Sequence, residues 1–383
     1  MPSTLWLSCH AGYACRHSGL CCRAGWPLPV EERTVPAIDA AVAGGRLKPG
    51  DGGVVWLVES AEAPEGVAGT FRQVNGACVF HRPGPAGRPG THECGVHATL
   101  GHQALPATCQ HFPRVCLVDD RGVRVSLSHA CPTAAAMLVD ADAPVTIVEG
   151  PPAVPGLEVP EGLDVRDQLP PRLSSTVLMD LEAATAWEAH VVSRLAGPGA
   201  SGPVAPALAA LGRDADTLAG WRPGGPALSE AIAALDPGTG TAAGAAVAGE
   251  PLLDMAAVET AQALVAGACR APWNWRPLPD DLAGADARFV APVWHDWAPV
   301  VRRYLAARAF GAWITYQADA ARGLIAWLDL AAVVLRMEAV RAAAAAGRTL
   351  DRAALIEAVG QSDLVLVHYA DPAAIGAALA PGV

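Results

Sequence analysis

Cysteine side chains dominate the chemistry that this sequence could perform. The segment CRHSGLCCRAGW, from Cys15 to Trp26, places three thiols within eight residues, and two of them are adjacent. Adjacent side chains diverge on an extended or helical backbone, so they reach one centre only where the chain bends, and the glycine in this segment permits a bend. Later thiols complete the predicted set of metal ligands, which is Cys15, Cys21, Cys22, Cys78, Cys94, Cys109 and Cys131.

The density of these thiols favours one shared metal site. Nine of the ten cysteines precede Pro132, so unrelated buried thiols are the weaker interpretation. Seven thiols exceed the four ligands of a tetrahedral zinc ion, and only one close pair, Cys94 and His97, is typical of zinc. We therefore predict an iron-sulfur cluster with four ligands (4Fe-4S), with zinc as the alternative and a second metal beside the cluster left open. Cys131-Pro132 also resembles the ending of ferredoxin-type cluster runs.

Other polar residues accompany these cysteines. His97 could share a helix face with Cys94, and a hydrogen-bonded surface histidine is the alternative. Arg114 could stabilise the negative charge of a thiolate cluster or bind a carboxylate, and a surface salt bridge is the alternative. His368 is interpreted as a hydrogen-bonded packing residue. The residues by themselves identify no catalytic residue and no cofactor-binding residue.

Composition indicates a folded protein. Its 383 residues are 52% apolar, enough to fill the cores of two or more domains. The net charge of -11 argues against a nucleic-acid binder, which carries a basic face. The longest apolar run, 324–335, is interrupted by Asp329 and is shorter than the roughly 20 residues of a membrane helix, so we predict no membrane segment. The start lacks a secretory signal pattern, which predicts a cytoplasmic protein with reduced thiols.

The order of patterns predicts a mainly α protein in three parts. Residues 1–140 form an irregular, cysteine-rich, metal-binding region whose segments 115–118 and 123–127 pair as a short β-hairpin. Residues 141–172 are rich in proline and predict a linker. Residues 173–383 form an α-helical domain, within which a low-complexity Ala/Gly/Pro stretch at about 197–250 predicts loops.

Helical patterns dominate the last part. Ser174 or Ser175 is expected to cap a helix with one apolar face between residues 177 and 195. Asp254 is expected to cap a helix that reaches about residue 270. A long pattern covers 299–346, and a shorter helix covers 351–359. We expect a helical bundle because strand patterns do not alternate with these segments.

The thiol segment carries a family resemblance. CRHSGLCC resembles the CxxCxxCC signature of the YkgJ-type cysteine-cluster family of zinc- or iron-chelating proteins, with Ser18 in place of the second cysteine. The pattern CC-x-x-GW, which ends at Trp26, is similar to the flagellin lysine N-methylase branch of that family. Because Ser18 interrupts the signature, Cys9 and Cys116 are candidate replacements, and a buried core thiol is the favoured interpretation of Cys116.

Further segments are similar to the same branch. They are the block GACVF at 76–80, ECGVHATLGHQALPATCQHFPR at 93–114, SLSHACP at 126–132, RRYLAARAF from residue 302, and the segment around 362–368. The resemblance implies a cluster-binding enzyme that transfers methyl groups from S-adenosylmethionine to lysine side chains of a partner protein. The rival interpretation is a non-enzymatic metal-binding or redox-sensing protein. No separate cofactor motif supports the enzyme, because CxxxCxxC is missing and the glycine pattern at 236–244 lacks a preceding strand.

Overall fold

The computed structural model describes residues 3–60, 62–84, 92–154, 160–235, 252–269, 276–316 and 321–379. About 51% of the chain is helical and 14% is strand, which confirms the predicted mainly α class. Within the described ranges, no helix combines the length and the apolar character needed to cross a bilayer.

The strands are short and belong mostly to the first half of the chain. Their bounds are β1 Thr4–Leu7, β2 Pro29–Glu31, β3 Leu57–Glu59, β4 Val67–Phe71, β5 Gln73–Val74, β6 Ala77–Cys78, β7 His81–Pro83, β8 His92–Cys94, β9 Arg114–Asp119, β10 Gly122–Leu127, β11 Ile147–Glu149, β12 Leu163–Asp164, β13 Arg172–Ser174 and β14 Val177–Leu178.

The helices lengthen toward the C-terminal half. Their bounds are α1 Val35–Ala43, α2 Gly95–Leu100, α3 Ala107–His111, α4 Pro132–Asp140, α5 Leu181–Ala196, α6 Val204–Ala219, α7 Leu228–Ala233, α8 Met255–Ala268, α9 Leu282–Ala285, α10 Ala298–Ala309, α11 Ala321–Ala346, α12 Arg352–Asp363 and α13 Pro372–Leu379. Single turns of 3-10 helix include Leu20–Cys22 and His102–Ala104, and π-helical turns cover Asp286–Val290 and Leu364–Tyr369.

A five-stranded sheet joins distant parts of the chain. Its order is β11-β1-β10-β9-β12, and the antiparallel β9–β10 pair confirms the predicted hairpin. The first strand pairs in parallel with β10, with Leu5 opposite Arg124. The range 141–172, predicted as a linker, supplies β11 beside β1 and β12 beside β9. Every residue of β10 is buried, because elements cover both faces of this strand.

The cysteine-rich region outside that sheet is held by small sheets of two or three strands. β2, β4 and β3 form one of them, and β5–β6 and β7–β8 form two hairpins. Their side chains enclose a small apolar core in which Ile38, Phe71 and Phe80 are buried. Phe71 and Phe80 pack edge to face at 5.7 Å between ring centroids. Several thiols lie in or against this core.

The helical half has a separate and larger core. The long helix α11 packs against α12, α8 and α6, while α10 packs against α5. Leu328, Val334 and Leu335 of α11 are fully buried. Arginine side chains are buried in this core where they pair with acceptors. Arg336, for example, forms a buried ion pair with Asp286 at 2.8 Å.

Three helix predictions were wrong in their details. The helix expected to start at Ser174 or Ser175 begins at Leu181, where the Asp180 carboxylate accepts a hydrogen bond from the Ala183 amide, and the preceding residues form β14. The continuous pattern 299–346 is two helices, and the break includes Gly311, whose φ of 59° lies in the left-handed region. The last predicted helix passes through Gly360 to Asp363.

The stretch at about 197–250 contains more structure than expected. Helix α6 covers Val204–Ala219 and buries Leu208, Leu211 and Leu218 on one face, and α7 follows it. Tertiary burial of this leucine face outweighs the low-complexity composition. Residues 236–250 lie outside the described ranges. By contrast, α8 begins at Met255 with Asp254 as its cap, as predicted.

Arg302 provides a test of how buried arginines hold this half together. Its guanidinium donates to the backbone oxygens of Leu195 and Arg194 in the last turn of α5 and to the oxygen of Pro203. Arg302→Met should lower the free energy of unfolding by about 2–4 kcal/mol, because three buried carbonyls lose a charged donor. Arg322→Met is the control, since Arg322 forms an exposed pair with Asp216 worth less than about 1 kcal/mol. Equal shifts in urea unfolding would contradict this role.

Candidate metal centre

The Cys15–Cys22 loop is bent as its sequence requires. His17 and Gly19 both adopt left-handed conformations, with φ of 56° and 71°. The backbone oxygen of His17 accepts a hydrogen bond from the His92 amide at 2.9 Å, which fastens the loop to β8. A side chain at Gly19 would overlap the side chain of His92, so this position needs glycine both for its φ and for this close approach. The following 3-10 turn, Leu20–Cys22, carries two of the thiols.

Three other segments bring thiols to this loop. Cys78 ends β6, Cys94 ends β8 directly before α2, and Cys109 is on α3. Cys22 and Cys78 belong to the small apolar core, and Cys21, Cys94 and Cys109 pack against it. We call these five residues the thiol cluster; they are Cys21, Cys22, Cys78, Cys94 and Cys109.

Cys22 lies between two other sulfur atoms of the thiol cluster. Its Sγ is 3.9 Å from that of Cys21, and it also forms a hydrogen bond with Cys94. These two sulfurs raise the pKa of Cys22, so its thiol keeps the proton and donates it. The hydrogen bond from Cys22 lowers the pKa of Cys94 to about 7 and also lowers that of Cys21. One proton thus stabilises two thiolates.

Four members of the thiol cluster are close enough that a charge on one sulfur changes the pKa of the others. Burial is the main cause that raises the pKa of Cys78 to about 12, and the charges of Cys94 and Cys21 add to it. Burial likewise raises the pKa of Cys109, with additions from Cys94, Cys21 and Cys78. Cys94 also acts on Cys21. Every pair among these four sulfurs is therefore within electrostatic range, which is the property expected of thiolates that surround one centre.

Cys15 and Cys131 flank the thiol cluster. Cys15 is exposed, and its sulfur interacts electrostatically with both Cys21 and Cys131. The Tyr13 hydroxyl lies 3.7 Å from the Cys131 sulfur, and the guanidinium of Arg114 lies 5.3 Å from the Tyr13 ring centre. Burial lowers the pKa of Arg114, and the charges of Tyr13, Cys116 and Cys15 act against that shift. The structure thus divides the seven predicted ligands into a group of five and a pair.

The two candidate replacement thiols lie elsewhere. Cys116 is fully buried inside the β9–β10 sheet, and burial raises its pKa to about 12. Cys9 packs against the helical core, and burial raises its pKa to about 11. Both thiols pack in apolar cores other than the one that holds the thiol cluster, so both are core thiols in this fold.

A buried polar network, which the sequence did not predict, joins the two halves next to Cys131. The carboxylate of Asp363 accepts hydrogen bonds from the backbone amide and the ring Nδ1 of His129, at 2.5 and 2.9 Å. Although burial alone would raise it, Arg308 and His129 hold the pKa of Asp363 well below its usual range. The other ring nitrogen of His129 is 3.2 Å from Nε2 of His10. The motif SLSHACP includes His129 and the resembling segment around 362–368 includes Asp363, but nothing in the sequence indicated that the two side chains pair.

His368 lies beside this network. Its Nε2 is 2.7 Å from the Ser128 hydroxyl, and its ring lies 4.8 Å from that of Trp26. His368 is exposed to solvent, yet burial among neighbouring atoms lowers its pKa to about 4. The hydrogen bond to Ser128 fits the predicted role of His368 as a hydrogen-bonded residue, and its exposure shows that it is not a core residue.

The donor atoms fit a thiophilic metal, although they do not yet form a ligand shell. Within the described residues, no three His, Cys, Asp or Glu side chains are already arranged to hold a metal ion. Two thiolates on one tetrahedral metal lie about 3.8 Å apart, given metal-sulfur bonds of about 2.3 Å. The 3.9 Å separation of Cys21 and Cys22 matches that distance. The spacing of this one pair therefore suits two ligands of a single metal ion.

Comparison with protein-family models, curated proteins and solved structures finds no match for this chain. The glycine pattern at 236–244, weighed as a cofactor loop, lies outside the described residues. The assignment of a metal centre therefore rests on this chain's own residues.

The proton shared by Cys22 can be tested in the metal-free protein. Alkylation of Cys94 by iodoacetamide should follow an apparent pKa of about 7, because only the thiolate reacts and Cys22 stabilises it. Cys22→Ala should raise that pKa and slow the reaction at pH 7, whereas Cys22→Ser keeps a donor and should change it less. Peptide mass spectrometry across roughly pH 5–10 measures the rate. A Cys94 profile that Cys22→Ala leaves the same as in the wild-type protein would show that Cys22 is not the donor.

Proposed function

We propose that the thiol cluster binds an iron-sulfur cluster and that the chain is a protein-lysine N-methyltransferase resembling flagellin lysine N-methylase. The observation that carries the metal assignment is the mutual interaction of Cys21, Cys78, Cys94 and Cys109. They come from four separate segments, so each can approach a different corner of a four-iron cluster.

Cys22 has a different role in this proposal. Because it donates to the sulfurs of Cys21 and Cys94, it acts as a hydrogen-bond donor to two ligands. Hydrogen bonds to cluster sulfurs tune the reduction potential of the cluster. The bound cluster would supply folding energy to a region whose apolar core is small, as metals do in other cysteine-rich domains.

The methyltransferase part of the proposal rests on the motif resemblance and on a group of three aromatic rings. Trp26, Phe112 and His368 place three aromatic rings within 4.8 to 6.2 Å of one another, and each residue is at least partly accessible to solvent. Flat apolar rings beside a histidine can bind the adenine of S-adenosylmethionine by stacking. The protein partner would present a lysine, whose ammonium must lose a proton before methyl transfer.

A second candidate function is a non-enzymatic metal-binding protein. The observation that favours it is the 3.9 Å separation of Cys21 and Cys22, which suits two thiolates on one zinc ion better than two corners of a cluster. Metal and sulfide analysis separates the two candidates, because zinc carries no inorganic sulfide.

Anaerobic reconstitution tests the ligands. The protein should bind about four irons and four sulfides per chain, with broad visible absorption. Cys109→Ser should remove most of that iron, since its sulfur interacts with the three other proposed ligands. Cys9→Ser is the matched control, because Cys9 packs on the helical core, and it should keep the full iron content. Stoichiometric colourless zinc in the wild-type protein would favour the second candidate.

Calorimetry with S-adenosylmethionine tests the enzyme assignment. The metal-loaded protein should bind the cofactor at one site per chain, and Trp26→Ala should weaken binding by roughly ten-fold through lost stacking. Val54→Ala, at an exposed site, should leave binding unchanged. Absence of any binding to the metal-loaded protein would rule out the methyltransferase.

A further inference from the structure

Strand β3 is the free edge of a small sheet in the cysteine-rich region. The order of that sheet is β2-β4-β3, so β4 covers one side of β3, and no strand among the described residues covers the other side. An uncovered edge exposes backbone N–H and C=O groups that can pair with another extended chain. The edge of β3 therefore has the form of a docking site for a strand.

The pairing with β4 shows which backbone groups of this edge point outward. Hydrogen-bonded and non-hydrogen-bonded pairs alternate along two antiparallel strands. The oxygen of Trp56 accepts a hydrogen bond from the amide of Arg72 at 2.7 Å, and Val58 lies two residues further along the same ladder. The backbone groups of Trp56 and Val58 therefore face β4, and those of Leu57 and Glu59 face outward. In the described parts of the chain, no backbone group bonds to these outward groups.

Apolar side chains beside this edge are left open to solvent. Val55 and Val58 are 61% and 49% exposed, although valine is usually buried. Trp56, which lies between them, is 4% exposed and belongs to the small apolar core that contains Cys22 and Cys78. The edge is thus anchored on the same core as the thiol cluster, and it leaves branched side chains for a partner to cover.

Negative charge accompanies the exposed valines. Glu59 lies on the strand, and Glu62 and Glu65 lie in the turn that leads to β4. All three carboxylates are exposed, and none forms an ion pair within the described residues. Asp51 differs from them because it pairs with Arg72 at 2.7 Å. A strand that carries cations would supply the partners that these three glutamates lack.

The same charges argue against a second copy of this chain as the occupant. Pairing two β3 edges would bring two sets of these glutamates together, and like charges opposite each other in a sheet are destabilising. Such a charge on an edge strand selects against the wrong partner as well as for the right one. The chemistry of the edge therefore fits an extended chain that is both apolar and basic.

We propose that the edge of β3 docks an extended, lysine-bearing segment of a partner protein, which adds a strand beside Leu57–Glu59. Backbone hydrogen bonds give affinity in this mode of recognition, and alternate side chains give specificity. The inference rests on the proposed methyltransferase function, which requires a partner with lysines. It adds that the partner is recognised as an extended segment.

Peptides of alternating lysine and valine test this mode of docking. In antiparallel pairing, the lysines lie opposite Leu57 and Glu59 with their amides toward β3, and the valines lie opposite Val58 with their amides toward solvent. A fluorescently labelled peptide should bind the metal-loaded, full-length protein in an anisotropy titration. N-methylation of the lysine amides should weaken binding by roughly ten-fold or more, and N-methylation of the valine amides should leave it nearly unchanged. Equal effects of the two methylation patterns, or no binding, would overturn the proposal.

Variants of the edge identify the site. Glu59→Pro removes one outward amide and keeps the hydrogen bonds to β4, so it should weaken peptide binding by roughly ten-fold. Replacing Glu59, Glu62 and Glu65 together with glutamine should weaken it by roughly three- to ten-fold. Glu182→Gln, at an exposed position of α5, is the matched control. Unchanged urea midpoints and iron content establish that the variants fold, and peptide affinity that neither edge variant alters would overturn the site.

Methyl transfer separates this inference from the function on which it rests. Peptide binding that depends on Glu59, without any methyl transfer, would support the docking site and remove the methyltransferase. Methyl transfer to the peptide at a rate that the edge variants do not change would keep the enzyme and overturn the docking site. Dimerisation of the protein in sedimentation experiments, abolished by Glu59→Pro, would assign the edge to a second copy and also overturn the proposal.

Discussion

Close packing of sulfur atoms creates an electrostatic conflict that organises the N-terminal half. Thiolates repel one another, and burial raises the free energy of each one further, so Cys78 and Cys109 stay protonated without a metal. Cys22 relieves part of the conflict by sharing its proton with Cys21 and Cys94. A bound metal ion would supply positive charge to balance the thiolates. The short strands and small apolar core around these thiols hold the sulfurs together and offer little stability of their own.

The cysteine-rich region is built into the rest of the molecule and is not an appended module. Its first strand, β1, lies inside the five-stranded sheet, and Asp363 from the end of α12 accepts two hydrogen bonds from His129, two residues before Cys131. Arg308 of α10 pairs with the same carboxylate at 3.5 Å. Changes in the thiol region therefore have a direct path to the helical core through buried charges.

The sequence predicted those structural elements that depend on interactions between residues close together in the chain. The β9–β10 hairpin and the Asp254 cap follow from residues close together in the sequence, and both are present. The sheet around β1 could not be predicted, because its partner strand is more than a hundred residues away and a four-residue strand carries little pattern. Helix α6 was missed because only tertiary burial gives its leucine face a partner. The thiols were recognisable by type and density, whereas their division into five and two depends on loop conformation.

The parallel pairing of β1 with β10 also sets an order of events during synthesis. The strand that leads into the thiol loop leaves the ribosome well before its partner, so the loop has no fixed base until β10 has been made. Cys131 emerges later still, and Asp363, which anchors the adjoining His129, follows that histidine by 234 residues. Until then, the thiols that have already been made have no completed pocket around them. Oxidation of these thiols during that interval would compete with completion of the fold.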